Sequence, residues 1–152
     1  QGRFLGTSVN DKEAVLRAFS LTKANRLKDK KFAILSGGEK QKIVIARAVA
    51  QTTPWMLLDE PIASLDIKNQ IEIMQTLLEL NRQEGVSVLM VLHDINLAGI
   101  YCDRLIMLKD GQVIAAGNTN ECLCEENLKK LYDISFFHMD TKKGQRYYYA
   151  EI

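Results

Sequence analysis

The chain has 152 residues, with 20 Lys+Arg, 19 Asp+Glu and two His. A chain of this size buries roughly 68–70% of its unfolded surface, and 47% apolar with 26% charged residues is the composition of a globular domain, which excludes a disordered chain. A net charge of +1 supplies no polyelectrolyte attraction to nucleic acid or anionic lipid, and the longest apolar runs, such as residues 86–92, fall well short of the roughly 20 residues of a membrane span.

No basic segment followed by an apolar stretch opens the sequence, so it reads as lacking a secretory signal. It begins at Gln1 rather than Met, the pattern of a fragment or a processed chain. Three cysteines, Cys102, Cys122 and Cys124, are too few and odd in number for a disulfide framework and fit a reducing compartment. Cys122-x-Cys124 has no second ligand pair at metal spacing, so free thiols are expected.

In chain order, residues 10–22 read as a helix, with Asn10 as N-cap and Ala14, Val15, Ala18 and Phe19 on its apolar face. Residues 26–31 are a charged loop. Residues 37–51 form a second helix so rich in Ile, Val and Ala that it is expected to be buried on most sides. Residues 55–58 read as a short buried strand. Residues 67–84 form a long amphipathic helix with Ile67, Ile71, Met74 and Leu78 on one face, stopped by Gly85. Residues 86–92 are a β-branched, buried strand, and 93–102 a short helix. Lys109-Asp110-Gly111 marks a hairpin between strands 104–108 and 112–116. Residues 118–132 read as one surface helix, and 136–139 with 146–150 as a terminal hairpin around Gly144. Strands alternating with helices give an α/β class with a parallel sheet, to which the hairpins add antiparallel strands.

Three constellations carry chemistry. In Leu35-Ser36-Gly37-Gly38-Glu39-Lys40-Gln41, two glycines let a ligand approach the backbone at the start of a helix. The unpaired N–H groups and the helix dipole there suit phosphate. The same residues also read as a capping box, Ser36 at N-cap and Glu39 at N3; the two readings are compatible. In Trp55-Met56-Leu57-Leu58-Asp59-Glu60, two acids emerge at the C-terminal end of a strand, the edge where α/β sheets bind ligands. Such a pair can serve Mg²⁺ and water, or be no more than a solvated loop. His93 follows the strand 86–92 at its C-terminal end, as a structural residue or as a third polar group on that edge. His138 is read as surface or core.

Together and in this order these residues resemble the C-terminal part of ABC-transporter ATPase subunits. LSGGEKQ is similar to the family signature, WMLLDEP to its Walker B motif, Ser64-Leu65-Asp66 to its D-loop and His93 to its switch histidine. Within the family, VLHDINLAGIYCDRLIMLKDGQVIAAG is most similar to importer ATPases for ferric siderophores, haem and cobalamin. The resemblance implies that Asp59 holds Mg²⁺, directly or through water, that Glu60 polarises the attacking water, and that His93 meets the γ-phosphate. It implies that Ser36, Gly37 and Gly38, with Glu39 and Gln41, serve ATP held by a second subunit. Ser64, Leu65 and Asp66 would link the two sites of that homodimer. Ile62 departs from the Thr usual before the D-loop.

The larger departure is that Gly-Lys occurs nowhere, so the Walker A loop G-x-x-x-x-G-K-[ST] is absent. The implied fold is therefore an incomplete P-loop NTPase-type, three-layer α/β fold with a mainly parallel sheet. Residues 1–53 would form a helical signature subdomain and 54–152 the C-terminal part of the ATPase core. The implied function is the ATP-hydrolysing subunit of an importer for iron-siderophore, haem or cobalamin-type chelates, with this chain alone inactive. It would be cytoplasmic, peripheral on the inner face of the cell membrane, and bound to integral membrane permease subunits without a span of its own. Two rival readings are a DNA-repair or chromosome-organising ABC ATPase and a catalytically inert dimerising fragment. The absence of a basic stripe and of coiled-coil or zinc insertions argues against the first and against nucleic acid as a partner.

Overall fold

Helix α1 (Val9–Leu21) is the first element of the computed structural model, which describes residues 9–142 and 144–151. It packs on α2 (Gly37–Val49). Phe19 and Ile43 close over a small core of Ala24, Leu27 and Leu35. Ala18 is buried on α1, whereas Val15, expected on the same face, is exposed. The loop at residues 26–31 is partly ordered by a 3-10 turn, Asn25–Leu27, whose Leu27 anchors it in that core. Arg17 pairs with Glu84, and Lys23 with Glu79 at 2.9 Å, tying the end of α1 to α3 (Ile67–Glu84).

Helix α2 is not buried on most sides. Only Gly38, Ile45 and Ala46 are buried, and Val44 faces solvent. Its packing neighbours are α1 and α3, and two helices cover only part of a cylinder. The hydrophobicity of a helix reports what it can bury, not whether the partner is present.

Strands β1 (Trp55–Leu58) and β2 (Ser87–Met90) pair in parallel, in the register Trp55↔Ser87 to Leu58↔Met90. Helix α3 connects them, packs on β2 and buries Ile73, Met74, Leu77 and Leu80. Ile67, expected on its apolar face, is exposed in the first turn. The helix stops at Gly85, whose φ of 69° is the left-handed C-cap for which glycine carries no Cβ penalty. The sequence reads both strands as buried, but in β1 Met56 is buried while Trp55 and Leu57 are exposed, and in β2 Leu89 is exposed.

The described residues divide into two compact units between Val91 and Leu92. In the second unit, α4 (Ile95–Tyr101) precedes the antiparallel hairpin of β3 (Arg104–Lys109) and β4 (Gln112–Asn118). Its turn, Asp110-Gly111, has φ of 50° and 74°, the pair of positive angles that a type I′ turn requires. The expected single helix over 118–132 is two pieces, α5 (Thr119–Cys122) and α6 (Glu125–Tyr132). Cys124 is extended between them, and Asn127 Nδ2 donates to the Cys122 carbonyl at 3.0 Å. Strands β5 (Phe136–Asp140) and β6 (Arg146–Ala150) form the terminal hairpin. Met107, Cys122, Leu123, Leu128 and Tyr148 form the core of this unit. Asn96 clamps β6 to α4, giving Nδ2 to the Tyr148 carbonyl at 3.0 Å and accepting its N–H at 2.7 Å. Among the described residues, no helix is long and apolar enough to cross a membrane.

Candidate functional site

Ser36 adopts extended backbone angles and caps α2. Its Oγ accepts the Glu39 N–H at 3.3 Å, and its own N–H donates to Glu39 Oε2 at 3.0 Å, completing a capping box. Lys30 Nζ reaches the other Glu39 oxygen at 3.2 Å. The Ser36 N–H, and then the Lys30 ammonium, hold the Glu39 carboxyl below the usual carboxylate range. Glu39 is therefore a fixed negative charge that orders the turn. Gly37 is exposed, Gly38 is buried and Gln41 is half-buried one turn into the helix.

The Ser64-Leu65-Asp66 segment lies against this turn. A Cβ built on Gly37 would stand 3.6 Å from Leu65 Cδ2. Asp66 caps α3, its Oδ1 accepting the Asn69 N–H at 2.8 Å. Ser64 and Asp66 are exposed. The structure thus brings Ser36, Gly37, Gly38, Leu65 and Asp66 together at the starts of two adjacent helices. It adds Asn69, which was not singled out in the sequence. Its signal was the Asp-x-x-Asn spacing at a helix start.

Asp59 and Glu60 follow the last residue of β1 and are both exposed. The ladder continues one bond past β1, with the Val91 N–H on the Leu58 carbonyl at 3.0 Å. The chain then turns sharply at Glu60, whose φ is 45°. A non-glycine residue in the left-handed region costs roughly 1–3 kcal/mol and persists only when its surroundings hold it there. The following loop is pinned by Gln70 Nε2 on the Ile62 carbonyl at 3.2 Å, by Leu65 N–H on the same carbonyl at 3.2 Å, and by the buried Ile62 side chain. Two exposed carboxylates on a pinned turn are hard oxygen donors. They fit Mg²⁺, which usually takes one or two carboxylates and completes its shell with phosphate and water.

His93 belongs to the second unit, in the turn before Asp94, and is exposed. Asp94 caps α4 by accepting the N–H groups of Asn96 and Leu97 at 2.8 and 2.9 Å. His138 lies on β5, 3.0 Å from Glu125 Oε1 and beside the Tyr148 ring. Burial pushes the Cys102 and Cys122 thiols up, away from the thiolate that metals bind. No group of three or more metal-ligating side chains forms among the described residues.

A family model described as ABC transporter matches residues 7–63. The ferric enterobactin transport ATP-binding protein FepC of Escherichia coli is 40% identical over 130 residues, covering 86% of this chain and 48% of that protein. The hemin import ATP-binding protein HmuV of Bordetella avium is 38% identical over 117 residues, covering 72% of this chain and 45% of that protein. The chain thus spans about half the length of the curated relatives it matches. An inward-facing metal-chelate type ABC transporter superposes with a TM-score of 0.92 at 26% identity, over 99% of this chain and 62% of that one. A dimeric ATP-binding cassette bound to ADP and Pi, MJ0796, superposes with a TM-score of 0.63 at 35% identity, over 78% of this chain and 51% of that one.

Proposed function

The chain belongs to the ABC transporter family, and from that premise we propose that it is the C-terminal part of the ATP-hydrolysing subunit of an importer for iron-siderophore, haem or cobalamin-type chelates. The observation that carries the reading is the 40% identity to a ferric enterobactin transport ATP-binding protein across 86% of the chain. The subunit works as a homodimer on integral membrane permease subunits, on the cytoplasmic face of the membrane. Residues 1–53, the first eight of which lie outside the described residues, act as the helical signature subdomain and 54–152 as the remainder of the ATPase core.

In this reading water attacks the γ-phosphorus of ATP, the bond to the β–γ bridging oxygen breaks, and ADP and phosphate leave. Glu60 orients and polarises that water, and His93 meets the γ-phosphate. Asp59 would hold Mg²⁺, which would supply neutralisation of the phosphate charge. Ser36, Gly37 and Gly38, with Glu39 ordering their turn and Gln41 beside it, face ATP held by the second subunit. Ser64, Leu65 and Asp66 join the two sites. The chain contains no Gly-Lys and so no Walker A loop. Its acids act on a phosphate that other residues must grip.

The test is hydrolysis and uptake by the full-length subunit assembled with its permease in vesicles. Expected are magnesium-dependent ATP hydrolysis abolished by Glu60→Gln, and uptake of a ferric siderophore, haem or cobalamin from a panel that includes amino acids and sugars. Uptake of an amino acid or sugar alone would overturn the substrate class. DNA-stimulated hydrolysis without any uptake would favour the repair-type reading.

A further inference from the structure

Asn69 stands between the starts of α2 and α3. Its Nδ2 donates to both carboxylate oxygens of Asp66 at 3.0 Å, while its backbone N–H makes the capping bond to Asp66 Oδ1 at 2.8 Å. On its other side the carboxamide lies against Gly38. A Cβ built there would be 2.5 Å from Asn69 Cγ and closer still to Oδ1. Gly38 is buried inside the first turn of α2, and its φ is not positive. Its backbone angles therefore do not require glycine, and a helical glycine costs about 1 kcal/mol relative to alanine. Within this chain the atoms that such a Cβ would meet first belong to the Asn69 side chain.

We propose that Asn69 is a positioning residue, holding the Asp66 carboxylate at a fixed place against the Ser36–Gly37–Gly38 turn so that the two move as one piece. The proposal rests on the reading of this chain as an ABC ATPase subunit, in which that turn and Asp66 both face the second subunit. Asparagine suits the task because its amide gives two N–H groups to a carboxylate while its planar body fills the space above a glycine. Aspartate would set a second carboxylate against Asp66, and alanine would leave both neighbours without a strut.

Asn69→Ala removes the carboxamide but keeps the backbone N–H that caps α3, so it separates positioning from folding. In the full-length subunit assembled with its permease, it should lower kcat for ATP hydrolysis about tenfold, within the roughly 10²-fold that small misplacements cost. KM for ATP should stay within about twofold, because uniform binding is untouched, and the melting temperature should fall by less than about 2 °C. Gly38→Ala should lower the melting temperature, and adding Asn69→Ala should restore part of the loss, because the carboxamide nearest the new methyl is gone while the residue 69 Cβ still stands 3.1 Å from it. A wild-type kcat in Asn69→Ala would overturn the proposal, as would a kcat loss that merely follows loss of folded protein. Glu60→Gln, measured alongside, keeps the two levels apart. If the wild type hydrolyses ATP and Glu60→Gln does not, a normal Asn69→Ala defeats the positioning role alone. If the wild type itself hydrolyses none, the functional reading falls and the proposal with it.

Discussion

Leu57 and Leu89 stand opposite each other in the parallel β1–β2 ladder, and both turn to solvent, at 73% and 53% exposure. Trp55 and Val91 widen the same uncovered face, while Met56, between Trp55 and Leu57, is buried. Exposed apolar surface of this kind marks an interface or an aggregation hazard. The two faces should therefore respond oppositely to substitution in this chain. Leu57→Thr should change unfolding free energy by no more than about 0.5 kcal/mol. Met56→Ala should cost about 2–5 kcal/mol. Urea unfolding measures both. Replacing Leu57 and Leu89 together by threonine should also reduce binding of a hydrophobic dye; equal dye binding would mean that the face is covered in solution.

The same strands show where the sequence stops being informative. Both hairpins, the Gly85 stop and the Ser36 cap were legible, because each depends on residues within a few positions of one another. Burial was not. The Ile-, Val- and Ala-rich α2 and the apolar run of β1 announce capacity for burial, and only the three-dimensional neighbours decide which face uses it. The break at Cys124 escaped because the apolar pattern continues through it. Of the site, the residue types at Ser36, Asp59, Glu60 and Asp66 could be read directly, but the contact of Asn69 with Gly38 spans 31 positions and has no local signature.

Ser36 tests the capping box directly. Ser36→Ala removes the acceptor for the Glu39 N–H while leaving the backbone in place. It should destabilise the chain by about 0.5–2 kcal/mol, the range for lost N-caps. Ser36→Asp should recover most of that, because an aspartate also accepts at this position and favours the positive end of the helix dipole. An unfolding midpoint unchanged in Ser36→Ala would mean that the cap does not form in solution.

Glu72 gives the chain a pH dependence of known sign. Lys42 Nζ reaches its carboxylate at 2.6 Å, and that hydrogen bond is the first cause of its lowered pKa. A carboxyl whose pKa is lowered by folding adds stability above its unfolded value, about 4.3. That contribution is lost as pH falls through the lower, folded value. Glu72 is partly exposed, so solvent screening keeps the contribution below about 1 kcal/mol. Glu72→Gln should therefore be less stable than the wild type at neutral pH, and the gap should close on acidification below about pH 4.3. A gap that stays constant with pH would mean that the pair is not formed.

The activity of this chain in isolation follows from what it lacks. Asp59, Glu60 and His93 are read as acting on a phosphate already fixed in line, and the sequence contains no Gly-Lys to fix it. Positioning of that kind can supply roughly 7–11 kcal/mol of the barrier. Its loss should leave the purified 152-residue chain without measurable ATP turnover. The Ser36–Gly38 turn needs no nucleotide of its own, since it is read as serving one held by another subunit. Mixed with a full-length subunit whose own signature serine is disabled, this chain should restore one composite site and part of the hydrolysis. Replacing Ser36 by a bulky residue should abolish that rescue, because the side chain would fill the space a γ-phosphate needs. Magnesium-dependent hydrolysis by the isolated chain, lost on Glu60→Gln, would instead mean that a phosphate-gripping loop of another kind lies within it.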